Sequence, residues 1–377
     1  GWDIIRQWEP TLPSKAPKDI DVPDAVLALA TDVAAIDHHD GSVWLIANAV
    51  NADAQESGID AAYDAAVARV DAMQAALAGA PAGEVSVMVA GADVAVRQRS
   101  ADGEFEEAVR FAKGAIRDGE VFQMVPSQRF DIPFEGDPLD VYRVARTINP
   151  SPYMYYFQIE DREGREFAIV GASPESLVAL NQGQVRTYPI AGSRPRGADP
   201  EQDKALAAEL IEDPKEIAEH IMLVDLARND LVKVCEPTSV EVTEFMAINR
   251  YSHIMHICST VVGRIEPQYT AVDAFTATFP AGTLSGAPKA RAIALIDEIE
   301  PVRRAFYGGA AGYFDFAGNM DFAITIRTAL IREGVAHVQA GAGIVADSVP
   351  EREAQETRDK AAAMVRAVRV ASRLERA

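Results

Sequence analysis

Apolar residues along this chain keep helical spacing for one block and strand spacing for the next, without regular strand–helix alternation, and that order argues for an α+β architecture. Up to about residue 50 the chain reads as sheet, with a turn at Gly41 leading into a strand over 42–47. Residues 60–77 become Ala-rich with apolar side chains at helical spacing, and the stretch 78–84, Ala-Gly-Ala-Pro-Ala-Gly-Glu, breaks that helix and marks a linker. Phe105, Val109, Ala112 and Ile116 predict an amphipathic helix that stops at Gly119, followed by a strand over 121–130. Strands over 167–170, 175–179 and 185–190 suggest a meander. Asp213 as N-cap, Pro214 in the first helical position and Glu216 as a capping-box carboxylate start a helix that runs through Glu219 and His220 to about residue 228. Beyond it come a turn-rich block over 279–288, a helix ending before Pro301, a Gly-rich strand region over 307–314, strands near 324–331 and 335–340, and a last helix from about 351.

Composition excludes several classes of function. Against 57 acidic residues stand 36 basic ones, a formal net charge of −21, and no local basic cluster offers the footprint that a nucleic acid needs. The balance of 48% apolar to 25% charged residues is that of a globular chain, and 377 residues suggest two domains or one large one. Cys235 and Cys258 are the only cysteines, too few for a disulfide framework or a thiolate zinc cluster, which suits a cytoplasmic setting. No window is long and apolar enough for a membrane span. The start, Gly1-Trp2-Asp3-Ile4-Ile5-Arg6, lacks the pattern of a signal peptide and a leading Met.

Glu353, Glu356 and Lys360 share one face of the last helix, either as a solvated stripe or as a frame for an anion and a metal ion. In favour of the frame, Ala340-Gly341-Ala342-Gly343-Ile344-Val345 precedes the helix, and its glycines let another group approach the backbone. Glu219 lies in an otherwise apolar helix where an acid is costly unless paired or metal-bound. Two carboxylates from distant helices, completed by water and substrate oxygens, suit Mg²⁺. His253 and His256 stand three apart without a third ligand at useful spacing, so a hydrogen-bonded or catalytic His is the better reading than zinc. Neither Gly341-Ala342-Gly343 nor Gly308-Gly309-Ala310-Ala311-Gly312 carries a nucleotide-binding spacing. Ser285 lacks a nucleophile elbow.

Four blocks, 189–197 (Pro-Ile-Ala-Gly-Ser-Arg-Pro-Arg-Gly), 219–230 (Glu-His-Ile-Met-Leu-Val-Asp-Leu-Ala-Arg-Asn-Asp), 279–289 (Phe-Pro-Ala-Gly-Thr-Leu-Ser-Gly-Ala-Pro-Lys) and 341–348 (Gly-Ala-Gly-Ile-Val-Ala-Asp-Ser), together resemble the chorismate-utilising enzymes. The resemblance is strong over 103–368 and weaker before it. It implies an α+β fold of two packed antiparallel sheets with helices outside and a cleft between lobes, residues 91–377 forming the catalytic domain and 1–90 the remnant of an N-terminal lobe. It implies Mg²⁺ held by Glu219 and Glu356, and chorismate held by Arg327, Lys360, the backbone of Gly341, Ala342 and Gly343, and the Ala191-Gly192-Ser193 strand, with Tyr313 nearby. Glu175 would be the general acid on the departing hydroxyl, His256 would lie against the ring, and Thr283 would sit near the reacting centre.

Within the family, relatives that add water carry a lysine where this chain has Gln123, and relatives that aminate at C4 carry a lysine where it has Ala191. Both differences imply amination of chorismate at C2 and pyruvate elimination to anthranilate, the first committed step toward tryptophan. A related outcome releases the aminated intermediate, and a non-catalytic fragment is the other alternative. No cysteine sits in a nucleophile context, so a separate glutamine amidotransferase subunit is the expected ammonia donor. Ser193 stands in place of the branch's usual threonine, and Leu231-Val232-Lys233 in place of Leu-Gly-Arg. The first residues resemble a segment inside the N-terminal lobe, so on the order of a hundred residues would precede them. Pro152, Tyr153 and Met154 form one wall of the pocket through which tryptophan would inhibit the complete chain.

Overall fold

The computed structural model describes residues 1–51, 55–79, 86–89, 93–250 and 254–376. They divide into two compact units, Gly1–Asp24 with Val89–Leu374, and Ala25–Met88 with the residues from Glu375 on. In the smaller unit Asp32–Ile36 and Val43–Ala47 pair as an antiparallel hairpin. Arg69, on the Ile59–Ala78 helix, donates to Asp32 Oδ1 and to the Asn48 carbonyl, both at 2.8 Å. Most of the stretch read as a linker, 78–84, falls outside the described residues.

The larger unit holds two antiparallel sheets. One has the order Arg97–Gln98, Ser127–Pro133, Val335–Gly341, Thr328–Arg332, Glu166–Ser173, Tyr153–Glu160. It is covered on both faces, which is why Glu166–Ser173 is buried almost throughout. Its period-2 alternation sends Ala168, Val170 and Ala172 toward the helices Pro138–Ile148 and Pro350–Ala371, and Phe167 and Ile169 toward Ile20, Val22 and Phe306.

The second sheet runs Ile190–Pro195, Ile254–Arg264, Gln184–Thr187, Ser176–Asn181, Met320–Ile324, Ala310–Phe314, with Glu241–Arg250 also paired along Ile254–Arg264. Val178, Leu180, Val261 and Phe322 pack with Val224 and Leu231 of the Pro214–Val232 helix and with Ala274. Trp2 and Ile5 join this core from a 3₁₀ turn, Trp2–Gln7. The sheet expected over the whole first stretch is therefore absent at its start. Trp2 and Ile5 lie three apart, so one 3₁₀ turn buries both.

The chain passes from the first sheet to the second at Ser173-Pro174-Glu175-Ser176 and returns at Ile324-Thr325-Ile326-Arg327-Thr328. The two crossings run side by side. The Ile324 amide donates to the Glu175 carbonyl at 3.0 Å, and the Ala172 amide to the Arg327 carbonyl at 3.1 Å.

The strand expected over 121–130 is broken. Pro126 cannot donate to a ladder, and the pieces separate into Gln123–Met124, which pairs with Gly286–Ala287, and Ser127–Pro133, which enters the first sheet. The 185–190 strand likewise divides into Gln184–Thr187 and the start of Ile190–Pro195, both on Ile254–Arg264.

The Pro214–Val232 helix starts where its sequence signals place it, with the Asp213 carboxylate accepting from the amides of Lys215 at 3.0 Å and Glu216 at 3.4 Å. Glu216 does not complete a capping box. Its carboxylate lies 3.7 Å from Arg194 Nη1, because the facing strand supplies a cation that outcompetes an already hydrogen-bonded turn. Asp213→Ala should lower stability by about 1 kcal/mol and Asp213→Asn by less than half of that, read as shifts of the thermal midpoint.

Candidate active site

Both crossings carry a side chain of interest. Glu175 is half-buried, and Thr283, in the short Gly282–Ser285 helix, donates its hydroxyl to Glu175 Oε1 at 2.9 Å. Desolvation pushes the Glu175 carboxyl up to about 7, against the Thr283 hydrogen bond and the charges of Lys360 and Arg327. A carboxyl so poised holds its proton near neutral pH and can hand it on, as a general acid must.

Arg327 occupies the second crossing with φ +50, a left-handed conformation unusual for a residue with a side chain. Its guanidinium has no hydrogen-bond or ion-pair partner among the described residues. Desolvation holds it below its ordinary value despite the nearby Glu175 and Tyr307. A desolvated guanidinium with unused donors is a ready carboxylate clamp.

Tyr307 is buried, and a Cβ at Gly341 would stand 2.8 Å from its hydroxyl oxygen and 2.7 Å from the Pro126 carbonyl. Tyr313, which the sequence suggested, is 59% exposed on Ala310–Phe314, and nothing among the described residues links it to Arg327 or Glu175. The Tyr307-Gly308-Gly309 run turns the nearer tyrosine inward, a distinction hidden from a reading of the glycines alone. The Gly341 carbonyl accepts from Lys360 Nζ at 3.1 Å, and the same ammonium lies 2.7 Å from Glu356 Oε1. Ala342 is fully buried, its amide donating to the Pro126 carbonyl at 3.1 Å. A Cβ at Gly343 would meet Gln123 Nε2 at 2.8 Å and approach Glu219 Oε1 at 3.6 Å.

Gln123 is buried and donates Nε2 to Glu219 Oε1 at 2.8 Å, while its Oε1 is buried without a partner. Glu219 is raised above its ordinary value by desolvation and then by the charge of Glu216, and Glu216 and Glu353 are raised by desolvation first, with Glu356 adding to both. Glu216 on one helix therefore feels Glu356 on another, and Glu219 feels Glu216. The repeated Glu-x-x-Glu spacing was the available signal for Glu216, which its capping position obscured.

Among the described residues no group of three or more His, Cys, Asp or Glu is gathered to hold a metal by itself. The donor set instead fits Mg²⁺, which takes one or two carboxylates and completes its shell with water and substrate oxygens. Glu219 and Glu356 would hold it, and the partly shared burden of negative charge is what a divalent cation relieves. His253, the other histidine of the pair, lies outside the described residues.

His256 makes a 3.0 Å contact from Nδ1 to the Gly192 carbonyl. A carbonyl only accepts, so Nδ1 carries the hydrogen, and desolvation keeps the ring below its ordinary value and neutral. Gly192, at φ +69, is the extra residue of a β-bulge, Ala191 opposite Ile257 and Ser193 opposite His256. A Cβ there would stand 2.9 Å from Glu216 Oε2, so the bulge lets strand and carboxylate helix close up. A small, open cleft is lined by Glu175 and Thr283 and also by Thr187, Tyr188, Leu226 and Asp230.

Tyr153 stands opposite Ser173 and donates its hydroxyl to Asp321 Oδ1 at 3.1 Å. Met154 packs on the helix-covered face of the first sheet, and Pro152 is exposed.

A family model described as chorismate binding enzyme matches residues 1–366. Over 377 residues the chain is 54% identical to anthranilate synthase component 1 of Arthrobacter globiformis, covering 99% of this chain and 71% of that protein. The crystal structure of anthranilate synthase component I from Streptococcus pneumoniae TIGR4 matches with a TM-score of 0.84 and 38% identity, over 97% of this chain and 79% of that one. MenF, the menaquinone-specific isochorismate synthase of Escherichia coli, shares the fold at 23% identity and a TM-score of 0.67, over 81% of this chain and 68% of that one.

A raised carboxyl weakens the fold as it ionises. The folded protein holds the Glu175 proton more tightly than the unfolded chain, so this contribution is complete below the ordinary glutamate range and is lost as pH rises through about 7. Glu175→Gln should therefore gain about 1–2 kcal/mol over the parent chain between pH 4 and pH 8, measured as a thermal-midpoint difference that grows with pH.

Proposed function

The chain belongs to the family of chorismate binding enzymes, and from that premise we propose that it adds ammonia to chorismate at C2 and then eliminates pyruvate to give anthranilate. The observation that carries the reading is a protonatable Glu175, hydrogen-bonded to Thr283 and set beside the Arg327 guanidinium, which has no partner among the described residues.

Arg327, Tyr307 and the backbone at Gly341–Gly343 receive a substrate carboxylate, and Lys360 adds a second positive charge. As the ammonia nitrogen bonds to C2, both conjugated ring double bonds shift toward C4 and the C4–O bond breaks. Glu175 gives its proton to that oxygen, which leaves as water. The amine sheds its extra proton; neutral His256, against the ring, then assists loss of the C2 proton as the C3–O bond breaks, and the departing enolpyruvyl group takes up one proton at its methylene carbon to become pyruvate. Chorismate and ammonia thus become anthranilate, pyruvate and water. When bound at Glu219 and Glu356, Mg²⁺ supplies a Lewis acid and a template for the ring carboxylate.

Gln123 supports ammonia over water as the nucleophile. An amide cannot deprotonate water, whereas ammonia needs no such base. Ala191 has no amine with which to form a covalent intermediate at C4. Cys235 and Cys258 are buried with their thiols pushed up to about 11, unfit for glutamine hydrolysis. Ammonia in this reading comes from a separate glutamine amidotransferase subunit. Tryptophan inhibits the complete chain through the wall at Pro152, Tyr153 and Met154. Residues 91–377 act as the catalytic domain. No helix among the described residues is long and apolar enough to cross a membrane, which suits a cytoplasmic enzyme.

The test is anthranilate fluorescence from the purified chain with chorismate, Mg²⁺ and ammonium. Fluorescence that EDTA abolishes and Mg²⁺ restores is expected. Chorismate consumed without fluorescence would instead identify release of the aminated intermediate. Glu175→Gln should lower kcat by about 10²-fold or more. At a fixed concentration of free ammonia, kcat/KM of the parent chain should fall as pH rises through about 7, where Glu175 loses its proton.

A further inference from the structure

Arg304 is buried, yet no step of the reaction uses it. Its Nε donates to Glu300 Oε2 at 2.9 Å and its Nη2 to Glu300 Oε1 at 2.6 Å. The remaining donors reach two backbone carbonyls, Nη1 that of Leu284 at 2.7 Å and Nη2 that of Val125 at 2.6 Å. Glu300 in turn accepts from the Ser127 amide at 2.8 Å and hydroxyl at 2.7 Å. The Trp2 ring covers the guanidinium at 4.3 Å from its centroid, and the Tyr307 ring lies at 5.4 Å.

Each partner adjoins a residue of the candidate site. Leu284 follows Thr283, and Val125 lies two residues beyond Gln123. Ser127 pairs in register with Gly341, which the Tyr307 hydroxyl abuts. The Val125 amide also donates to the Ser285 carbonyl at 3.1 Å, closing a ring through the Gly282–Ser285 helix. A buried ion pair is weak as a source of stability, since well-packed apolar residues often do as well. What the fork supplies here is fixed geometry, two carbonyls and a carboxylate held by one planar group.

We propose that Arg304, clamped by Glu300, is a positioning residue that fixes the Leu284 and Val125 carbonyls and so sets where the Thr283 hydroxyl meets Glu175. The kinetic part of its test rests on the reaction proposed above, and the structural part does not. Arg304→Lys keeps the charge and removes the fork. The Glu175 carboxyl is followed by ¹³C NMR in the free chain labelled at glutamate and assigned with Glu175→Gln. Lys360, Arg327 and the Cys258 thiol, the groups that face Glu175, are not hydrogen-bond partners of Arg304. The expected result is a titration midpoint raised by about one unit toward that of Thr283→Ala, because a hydrogen bond to the charged form has been lengthened. The falling limb of kcat/KM against pH should move up with it, a shift that a smaller folded fraction cannot produce.

Ser127→Ala removes one hydrogen bond to Glu300 and should move the midpoint the same way by less; it decides the matter if Arg304→Lys does not fold. A folded variant with the parent midpoint overturns the proposal, and so does failure of both variants to fold, which would make the pair a determinant of the fold. If the parent chain turns nothing over, the proposed reaction falls while the NMR titration still decides the role of Arg304.

Discussion

Two segments must leave one sheet and enter the other side by side, and the larger unit is organised by that double crossing. At each crossing the ladder is interrupted, and the exposed backbone groups are satisfied by the neighbouring segment, Ile324 to Glu175 and Ala172 to Arg327. Fixing the backbone there fixes the side chains that project from it. The Glu175 carboxyl and the Arg327 guanidinium feel one another across the two crossings. The positive φ of Arg327 is a local strain that the two flanking sheets sustain.

Charge follows the same division. The chain carries a net −21, yet Arg327 and Lys360 stand at the crossing and the end of the Val335–Gly341 strand, where anionic oxygens would be received. The acidic excess is also present locally, in Glu216, Glu219, Glu353 and Glu356; desolvation and then neighbouring negative charge raise Glu216, Glu219 and Glu353. Positive and negative clusters placed a few residues apart suit a ligand that brings carboxylates to one and a cation to the other. A uniformly acidic surface would have repelled the substrate.

Much of this was legible in the sequence where one local signal sufficed. Asp213-Pro214 marked a helix start, the Phe105 to Ile116 spacing marked a helix face, and the Gly341-Ala342-Gly343 run marked a close approach, here by Gln123 and Tyr307. Periodicity failed where tertiary structure overrode it. Nothing local in 121–130 announces that Val125–Pro126 separates two sheets, and Trp2 and Ile5 look like strand residues until a core is present to receive them. The site's chemistry came from residue types in recognisable blocks. Its geometry did not, since the link between Glu175 and Thr283 spans 108 positions. The Arg304–Glu300 pair was invisible because two opposite charges four apart, just beyond a helix end, ordinarily read as a surface feature.

Gln123 belongs to neither sheet. It sits on a ribbon of two residues against two, Gln123–Met124 with Gly286–Ala287, while the acid, the guanidinium and the histidine are carried by the sheets and their crossings. The residue on which the proposed choice of ammonia rests is thus mounted on its own short ribbon rather than on a strand of either sheet. A change of side chain at that position falls on a ladder of four residues and on the hydrogen bond to Glu219, and on no strand of either large sheet.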